Sequence, residues 1–441
     1  MNNDTYIIQG GTPLIGSIDL AGAKNASIKL LIASLLLDGE TVLRRIPLNQ
    51  DNVELVNLFH DIGVGVKLSG HTATIDAKNI NKSSVNLLYG SKIRSSFLLF
   101  GPLVYRFGEA HIPNPGGCRI GARPIERIIK GISALGVDIR YNHGTGYYDA
   151  KRNGKIEGEY TFEKPTHTGT EALILLGVCG TGVVTLHNCA LEPEIDDLIT
   201  FLNDCGAKIN RKGKDIQIEA VASLRQQHPH TVIEDRNEAV TYAAMAYVTG
   251  GDITINNLHP IYIQAFIDKV HQAGGQVDVL GEVGVRFKSI GRLQATDIQT
   301  APHPGYMTDW QPQWGLMMAT ASGVSIIHET MLEARLNYVQ ELQKVGAKID
   351  FFQPEVTHPE LLYQFNYDPR HKYLQAIRIT GVDKLHNGVM TVHDLRAGAV
   401  VVMAGLSAQH ESVIYGAQQI ERGYEHLVDK ITSLGGNIQR T

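Results

Sequence analysis

A pattern that returns six times constrains this chain more than any other feature of it. An amphipathic run ends in a glycine and passes into an alternating segment at FHDIGVGV (Gly63), ISALGVDI (Gly136), LNDCGAKI (Gly206), HQAGGQVDV (Gly274), LQKVGAKI (Gly346) and ITSLGGNI (Gly435). These glycines stand 73, 70, 68, 72 and 89 residues apart. Regular self-similarity of this kind marks a repeated supersecondary unit. In the first copy Val53, Val56 and Phe59, with Leu55, Leu58 and Ile62, make one apolar helix face. Gly63 then supplies a left-handed cap, and Val64-Gly65-Val66 begins a strand. One such unit cannot bury its own helix face, so six should pack together with helices buried and sheets outside. The expected fold is α/β: a two-domain inside-out α/β barrel of six repeated units, three per domain.

The last interval is longer than the others by roughly twenty residues. Its surplus runs from Phe351-Phe352-Gln353-Pro354-Glu355-Val356 to about Tyr373 and reads as an inserted surface loop. At 441 residues the chain exceeds the size at which one core keeps growing, and a boundary falls near Thr231 to Asp235.

Composition then narrows the function classes. With 43% hydrophobic and 19% charged residues the chain reads as globular, and a net charge of −5 argues against a general nucleic-acid or membrane-surface binder. Any anionic ligand must be held by local basic residues. Cys118, Cys179, Cys189 and Cys205 lack CxxC spacing and make no disulfide scaffold, which fits reduced thiols in the cytoplasm. The start, MNNDTYIIQGG, has no basic region followed by an apolar core, and no window offers about 18 uninterrupted apolar residues. His228-Pro229-His230 has no suitably spaced carboxylate or cysteine and reads as a connector, so no metal is expected.

Chemistry concentrates in Pro115-Gly116-Gly117-Cys118-Arg119-Ile120-Gly121-Ala122-Arg123-Pro124. Glycines let a loop approach a ligand closely, and the neighbouring guanidinium groups favour the thiolate of Cys118. A Gly/Pro turn with a chance cysteine is the plain alternative. Lys24, in Gly22-Ala23-Lys24-Asn25-Ala26-Ser27, opens an apolar run where a lysine and a helix N-terminus can meet an anion together; a solvated lysine after a turn fits as well. Arg94 either salt-bridges or faces a cleft. Asp309 precedes a helix, where an aspartate is often a cap. Arg335, Asp394, Arg396 and Arg422 each read singly as surface residues. Taken together, a thiol, a carboxylate and several cations on the loops of a repeat fold make a site for a small polyanion.

The motifs GAKNA (22–26), LFGPLVYRFGEA (99–110), PGGCRIGARP (115–124), TDWQ (308–311), DLRAG (394–398) and ERGYE (421–425) closely resemble those of the UDP-N-acetylglucosamine enolpyruvyltransferases, a likeness spanning nearly the whole chain. The resemblance implies transfer of enolpyruvyl from phosphoenolpyruvate to the sugar 3-hydroxyl, the first committed step of peptidoglycan synthesis. No metal or organic cofactor is implied. It makes Cys118 the acid for C3 of phosphoenolpyruvate and the site of a covalent adduct, and Asp309 the base for the 3-hydroxyl. Lys24, Arg123 and Arg422, with Asn25, would hold phosphate and carboxylate, Lys24 and Arg396 counting with the catalytic group. Arg94, Arg123, Pro124, Ile125, Glu126, Arg127, Lys164, Thr166, His167, Met331 and Arg335 fall, with Asp309, on the sugar-nucleotide side. Residues 1–23 and 234–441 become the catalytic domain and 24–233 the domain carrying the Cys118 loop. A cytoplasmic monomer or weak homo-oligomer is implied, with neither nucleic acid nor membrane as partner.

Two stretches depart from the family. Ile125-Glu126-Arg127-Ile128 replaces the usual aspartate, leucine and histidine after Arg-Pro, and Thr166-His167-Thr168-Gly169-Thr170-Glu171 replaces a Ser-Val-Gly-Ala-Thr-Glu stretch. Both fall at the nucleotide end. The expectation is that the uridine diphosphate is kept in a shifted pose; the alternatives are a different nucleotide acceptor or, less favoured, shikimate 3-phosphate.

Overall fold

The computed structural model describes residues 4–116 and 125–441, so Cys118, Arg123 and Pro124 lie outside the described residues. The chain forms two compact units, one of residues 4–21 and 234–441 and the other of 22–116 and 125–233. Each has its own apolar core.

Among the described residues, six sheets repeat one connection. An opening strand is followed by a helix and an antiparallel hairpin, and the second hairpin strand returns between the first and the opener. In the N-terminal copy these are Glu40–Arg44, the helix Gln50–Asp61, Gly65–Ser69 and Thr72–Asp76, with Ile75 opposite both Thr41 and Val66. A further strand joins the opener in parallel, here His230–Thr231. In the sheet of Glu109–Pro113, Val137–Asn142 and Tyr147–Arg152 that parallel place is held by a single bridge between Ser84 and His111. The last copy, His410–Tyr415 with the helix Leu427–Ser433 and Asn437–Arg440, takes its second hairpin strand from the other end of the chain: Thr5–Gly10. Both chain ends therefore share one sheet.

All six repeat glycines, Gly63, Gly136, Gly206, Gly274, Gly346 and Gly435, have φ between 79° and 101°. That is the left-handed region, where any other residue is strained, and it explains why glycine punctuates the period.

The helices ahead of these glycines are half-exposed. A second set is buried on nearly every face: Lys24–Ala33 and His167–Gly177 in one unit, and Arg236–Thr249, Gln311–Ala319 and Leu395–Ser407 in the other. The last three pack on one another. Runs such as Ala243-Ala244-Met245-Ala246 and Val400-Val401-Val402-Met403 are apolar all round, as a helix enclosed by neighbours requires. Each buried leucine or valine contributes about 1.5–3 kcal/mol. The stripe that repeats in the sequence thus belongs to the outer helices, and the inner ones carry no stripe because they have no solvent face.

The surplus after Phe352 lies between the hairpin strands Lys348–Phe352 and Ala376–Thr380 and folds around its own aromatic cluster. Tyr363 stacks on Phe365 and Tyr367, and Tyr373 lies against Phe365. It is an ordered lobe with a small core of its own.

Candidate functional site

Asp309 sits in a single turn, Thr308–Trp310, ahead of the helix Gln311–Ala319. It does not cap that helix, whose cap position is Trp310. Its Oδ1 instead accepts from Arg335 Nη2 at 2.9 Å, while Arg335 Nη1 donates to Asp394 Oδ1 at 3.0 Å. Arg335 is 2% exposed and the Asp309 side chain 24%. The single-residue expectation that Arg335, Asp394 and Arg396 lie on the surface is thereby corrected: all three are buried. Burial opposes the charge on Arg335, but the Asp394 and Asp309 carboxylates outweigh it and raise its proton affinity. A guanidinium gripped at two nitrogens fixes the orientation of both acids, and its rigid fork is what lysine lacks.

Asp394 also accepts from the backbone N–H of Arg396 and Ala397, capping Leu395–Ser407. Asp235 does the same for Arg236–Thr249, accepting from Asn237 and Glu238, and its second oxygen receives Arg396 Nη2 at 3.5 Å. Arg396 lies over the ring of Tyr424, 5.1 Å from the centroid, and Tyr424 in turn shares a hydrogen bond with Thr241 at 2.7 Å. Arg422 ends the turn Ala417–Arg422 two residues before that tyrosine. Met331 is half-buried in the same Glu329–Arg335 stretch as Arg335. In this unit the structure therefore brings Asp309, Arg335 and Arg396 into one polar cluster built on the N-termini of buried helices.

In the other unit Lys24 is the first residue of Lys24–Ala33, and its Nζ meets Asp51 Oδ2 at 2.7 Å. The solvated alternative for this lysine does not hold, since it is 8% exposed. Asn25 beside it is half-buried. Gly22 is obligatory here: a Cβ would stand 1.8 Å from the carbonyl oxygen of Arg45. Arg94 begins the turn Arg94–Leu99 and is half-buried.

The departing segments are neighbours. The helix Glu126–Ala134, preceded by buried Ile125, packs on His167–Gly177 and on the strand Gly158–Thr161. Glu126 is exposed and Arg127 half-buried; burial lowers the pKa of Arg127, with Glu163 acting in the opposite sense, and its carbonyl accepts from the Tyr160 hydroxyl at 3.1 Å. Lys164 is half-buried just ahead of Thr166, which caps His167–Gly177 through Gly169 N–H. His167 Nε2 lies 3.0 Å from Glu171 Oε1, and Lys29 reaches the other oxygen at 3.3 Å.

Burial opposes the His167 charge, but the Glu171 carboxylate overrides it and raises the imidazole above its ordinary value. A raised folded value gives stability that is complete below the unfolded value near 6.5 and is lost as pH rises through the folded one. His167→Asn should therefore cost most near pH 6, and the gap in melting temperature to the unaltered chain should narrow toward pH 9. A gap that widens with pH would contradict a charged His167.

Sequence reasoning missed Asp51, Asp235 and Glu171, the partners of Lys24, Arg396 and His167, and Glu329, whose oxygens take the Thr300 and Thr308 hydroxyls. An Asp-Arg pair at 235–236 and Asp-Leu-Arg at 394–396, each opening an apolar run, was the available signal.

The family EPSP synthase (3-phosphoshikimate 1-carboxyvinyltransferase) matches residues 8–431. UDP-N-acetylglucosamine 1-carboxyvinyltransferase 1 of Symbiobacterium thermophilum is 36% identical over 99% of this chain and 95% of its own. The UDP-N-acetylglucosamine 1-carboxyvinyltransferase of Desulforapulum autotrophicum is 37% identical over 99% of both. Among solved structures, the enolpyruvyl transferase NikO from Streptomyces tendae superposes with a TM-score of 0.86 at 22% identity, covering 100% of this chain and 99% of its own. EPSP synthase from Acinetobacter baumannii superposes at 0.72 and 16%, covering 99% and 100%. At those identities the two superpositions speak for the fold, an α/β fold with mixed sheets. By the family match and by full-length relatives above one-third identity, this chain belongs to the 1-carboxyvinyltransferase family of EPSP synthase and the UDP-N-acetylglucosamine 1-carboxyvinyltransferases.

Proposed function

We propose that this enzyme transfers the enolpyruvyl group of phosphoenolpyruvate to the 3-hydroxyl of UDP-N-acetylglucosamine and releases phosphate. The observation that carries this reading is the Asp309 carboxylate, partly exposed and held at one oxygen by buried Arg335, which leaves the other oxygen to act as a base. A neutral alcohol is a poor nucleophile, so its oxygen attacks C2 of phosphoenolpyruvate as Asp309 takes the proton and Cys118 gives one to C3. In the second step C3 returns a proton, the C2–O bond to phosphate breaks, and the enol ether remains on the sugar. Lys24, Arg123, Arg396 and Arg422 offset the charge of the donor, with Asn25 beside it. Arg94, Pro124 to Arg127, Lys164, Thr166, His167 and Met331 serve the sugar nucleotide in this reading, and Arg335 acts on it through Asp309.

The same reading carries the finer architecture: six α/β units in an inside-out barrel, a catalytic domain of 1–23 and 234–441, and 24–233 with the Cys118 loop. It also carries a cytoplasmic setting and a monomer or weak homo-oligomer.

A second reading, a different nucleotide acceptor, is favoured by one observation. His167 with Glu171 puts an ion pair where the family has an apolar valine. Phosphate release from phosphoenolpyruvate with UDP-N-acetylglucosamine, UMP and shikimate 3-phosphate as competing acceptors separates the readings: the first is expected to be consumed fastest. Arg127→Leu should raise the KM for that acceptor roughly three- to tenfold with kcat little changed, the effect of losing one partly screened charge contact. An unchanged KM would remove Arg127 from the diphosphate contact.

A further inference from the structure

Glu329 is fully buried, yet both its oxygens are occupied by donors. Oε1 accepts from Thr300 Oγ1 at 3.1 Å, Met331 N–H at 2.7 Å and Leu332 N–H at 3.0 Å, and Oε2 accepts from Thr308 Oγ1 at 2.8 Å. Burial pushes the Glu329 carboxyl above its ordinary value, and the Thr308 hydroxyl, the Met331 and Leu332 N–H groups and the Arg335 charge act in the opposite sense. One side chain thus ties the residue before Asp309 to the stretch that carries Met331 and Arg335.

That stretch is also held from outside, by the lobe after Phe352. Gln375 takes the Glu329 N–H at its carbonyl at 2.8 Å, and its amide donates to the carbonyls of Glu329 at 3.2 Å and Leu332 at 2.9 Å. Gln364 N–H donates to the Thr330 carbonyl at 2.8 Å. The Tyr363 hydroxyl lies 3.2 Å from His328 Nε2. A lobe that were only surplus would need none of these, because its own aromatic cluster already closes it.

We propose that Glu329 and the lobe at 353–375 form a brace for the acceptor end of the site, with Glu329 and Gln375 as positioning residues that fix Asp309, Met331 and Arg335. This rests on the reading that Asp309 receives the acceptor hydroxyl. Neither residue touches the donor in this account, so its signature is selective: the acceptor constant moves and the donor constant does not.

The test joins kinetics to amide hydrogen exchange in Gln375→Ala and Glu329→Gln, with Leu361→Ser, on the exposed outside of the lobe, as control. Gln375→Ala should raise the acceptor KM roughly tenfold, the scale of losing a buried hydrogen bond, with the donor KM within about twofold. Glu329→Gln should raise the acceptor KM and lower kcat, since Thr308 adjoins Asp309. In both, amides of residues 330–335 should exchange at least about tenfold faster while the strand Lys348–Phe352 stays protected. The control should match the unaltered chain. Faster exchange with an unchanged acceptor KM would reduce the brace to a structural feature, and unchanged exchange in both variants would overturn it outright. If the unaltered chain turned over no acceptor, the functional reading would fall and the exchange experiment alone would decide the brace.

Discussion

Asp309→Ala is expected to lower kcat about a thousandfold while the KM for phosphoenolpyruvate stays within about threefold, the range spanned by loss of a positioned general base. The carboxylate cannot be replaced by its neighbours. Asp394 is engaged by Arg335 and by two backbone N–H groups, and Asp235 by a helix start and Arg396. Asp309→Asn separates chemistry from scaffolding. Its amide oxygen can still accept from Arg335, so folding should survive, but it cannot take a proton and kcat should stay low. Steady-state kinetics on both variants, with urea midpoints alongside, checks this. Normal turnover in Asp309→Asn would make the residue a scaffold and leave the base unassigned.

Fosfomycin, an epoxide resembling phosphoenolpyruvate, should add its mass to Cys118 alone and stop turnover, and Cys118→Ala should lose labelling together with most activity. The selectivity follows from the other thiols. Cys179, Cys189 and Cys205 are buried in the apolar core, and burial pushes each up to about 12, where the reactive thiolate is scarce. Cys118 stands between glycines and the guanidinium groups of Arg119 and Arg123 in sequence, the setting that lowers a thiol. Peptide mass spectrometry after stoichiometric labelling reads the result. Label on any of the three buried cysteines, or full activity after labelling at Cys118, would contradict the assignment. Cys118→Asp keeps an acid and loses the nucleophile, so it should retain activity and escape the drug.

The repeat was legible because a left-handed cap accepts almost only glycine, so the period is written in one residue type. The inner helices were not legible as such, since Arg236–Thr249 and Leu395–Ser407 are enclosed and show no stripe to read. The candidate cations could likewise be picked out beside glycines and helix starts, but their burial could not. Arg335 and Arg396 look like surface arginines until Asp394 and Asp235, distant in sequence, are seen to take them. The lobe at 353–375 was visible as extra length. Its hydrogen bonds to Thr330 and Leu332 use backbone carbonyls, which every residue has, and so leave no trace in the sequence.

The most direct test of the central claim is the structure of the product. The purified chain, given phosphoenolpyruvate and UDP-N-acetylglucosamine, should release one phosphate for each acceptor consumed, and proton NMR of the isolated nucleotide should show a carboxyvinyl ether on the sugar 3-oxygen. Phosphate release with the sugar nucleotide recovered unchanged, or a carboxyvinyl ether found on another acceptor in preference to it, would contradict the account.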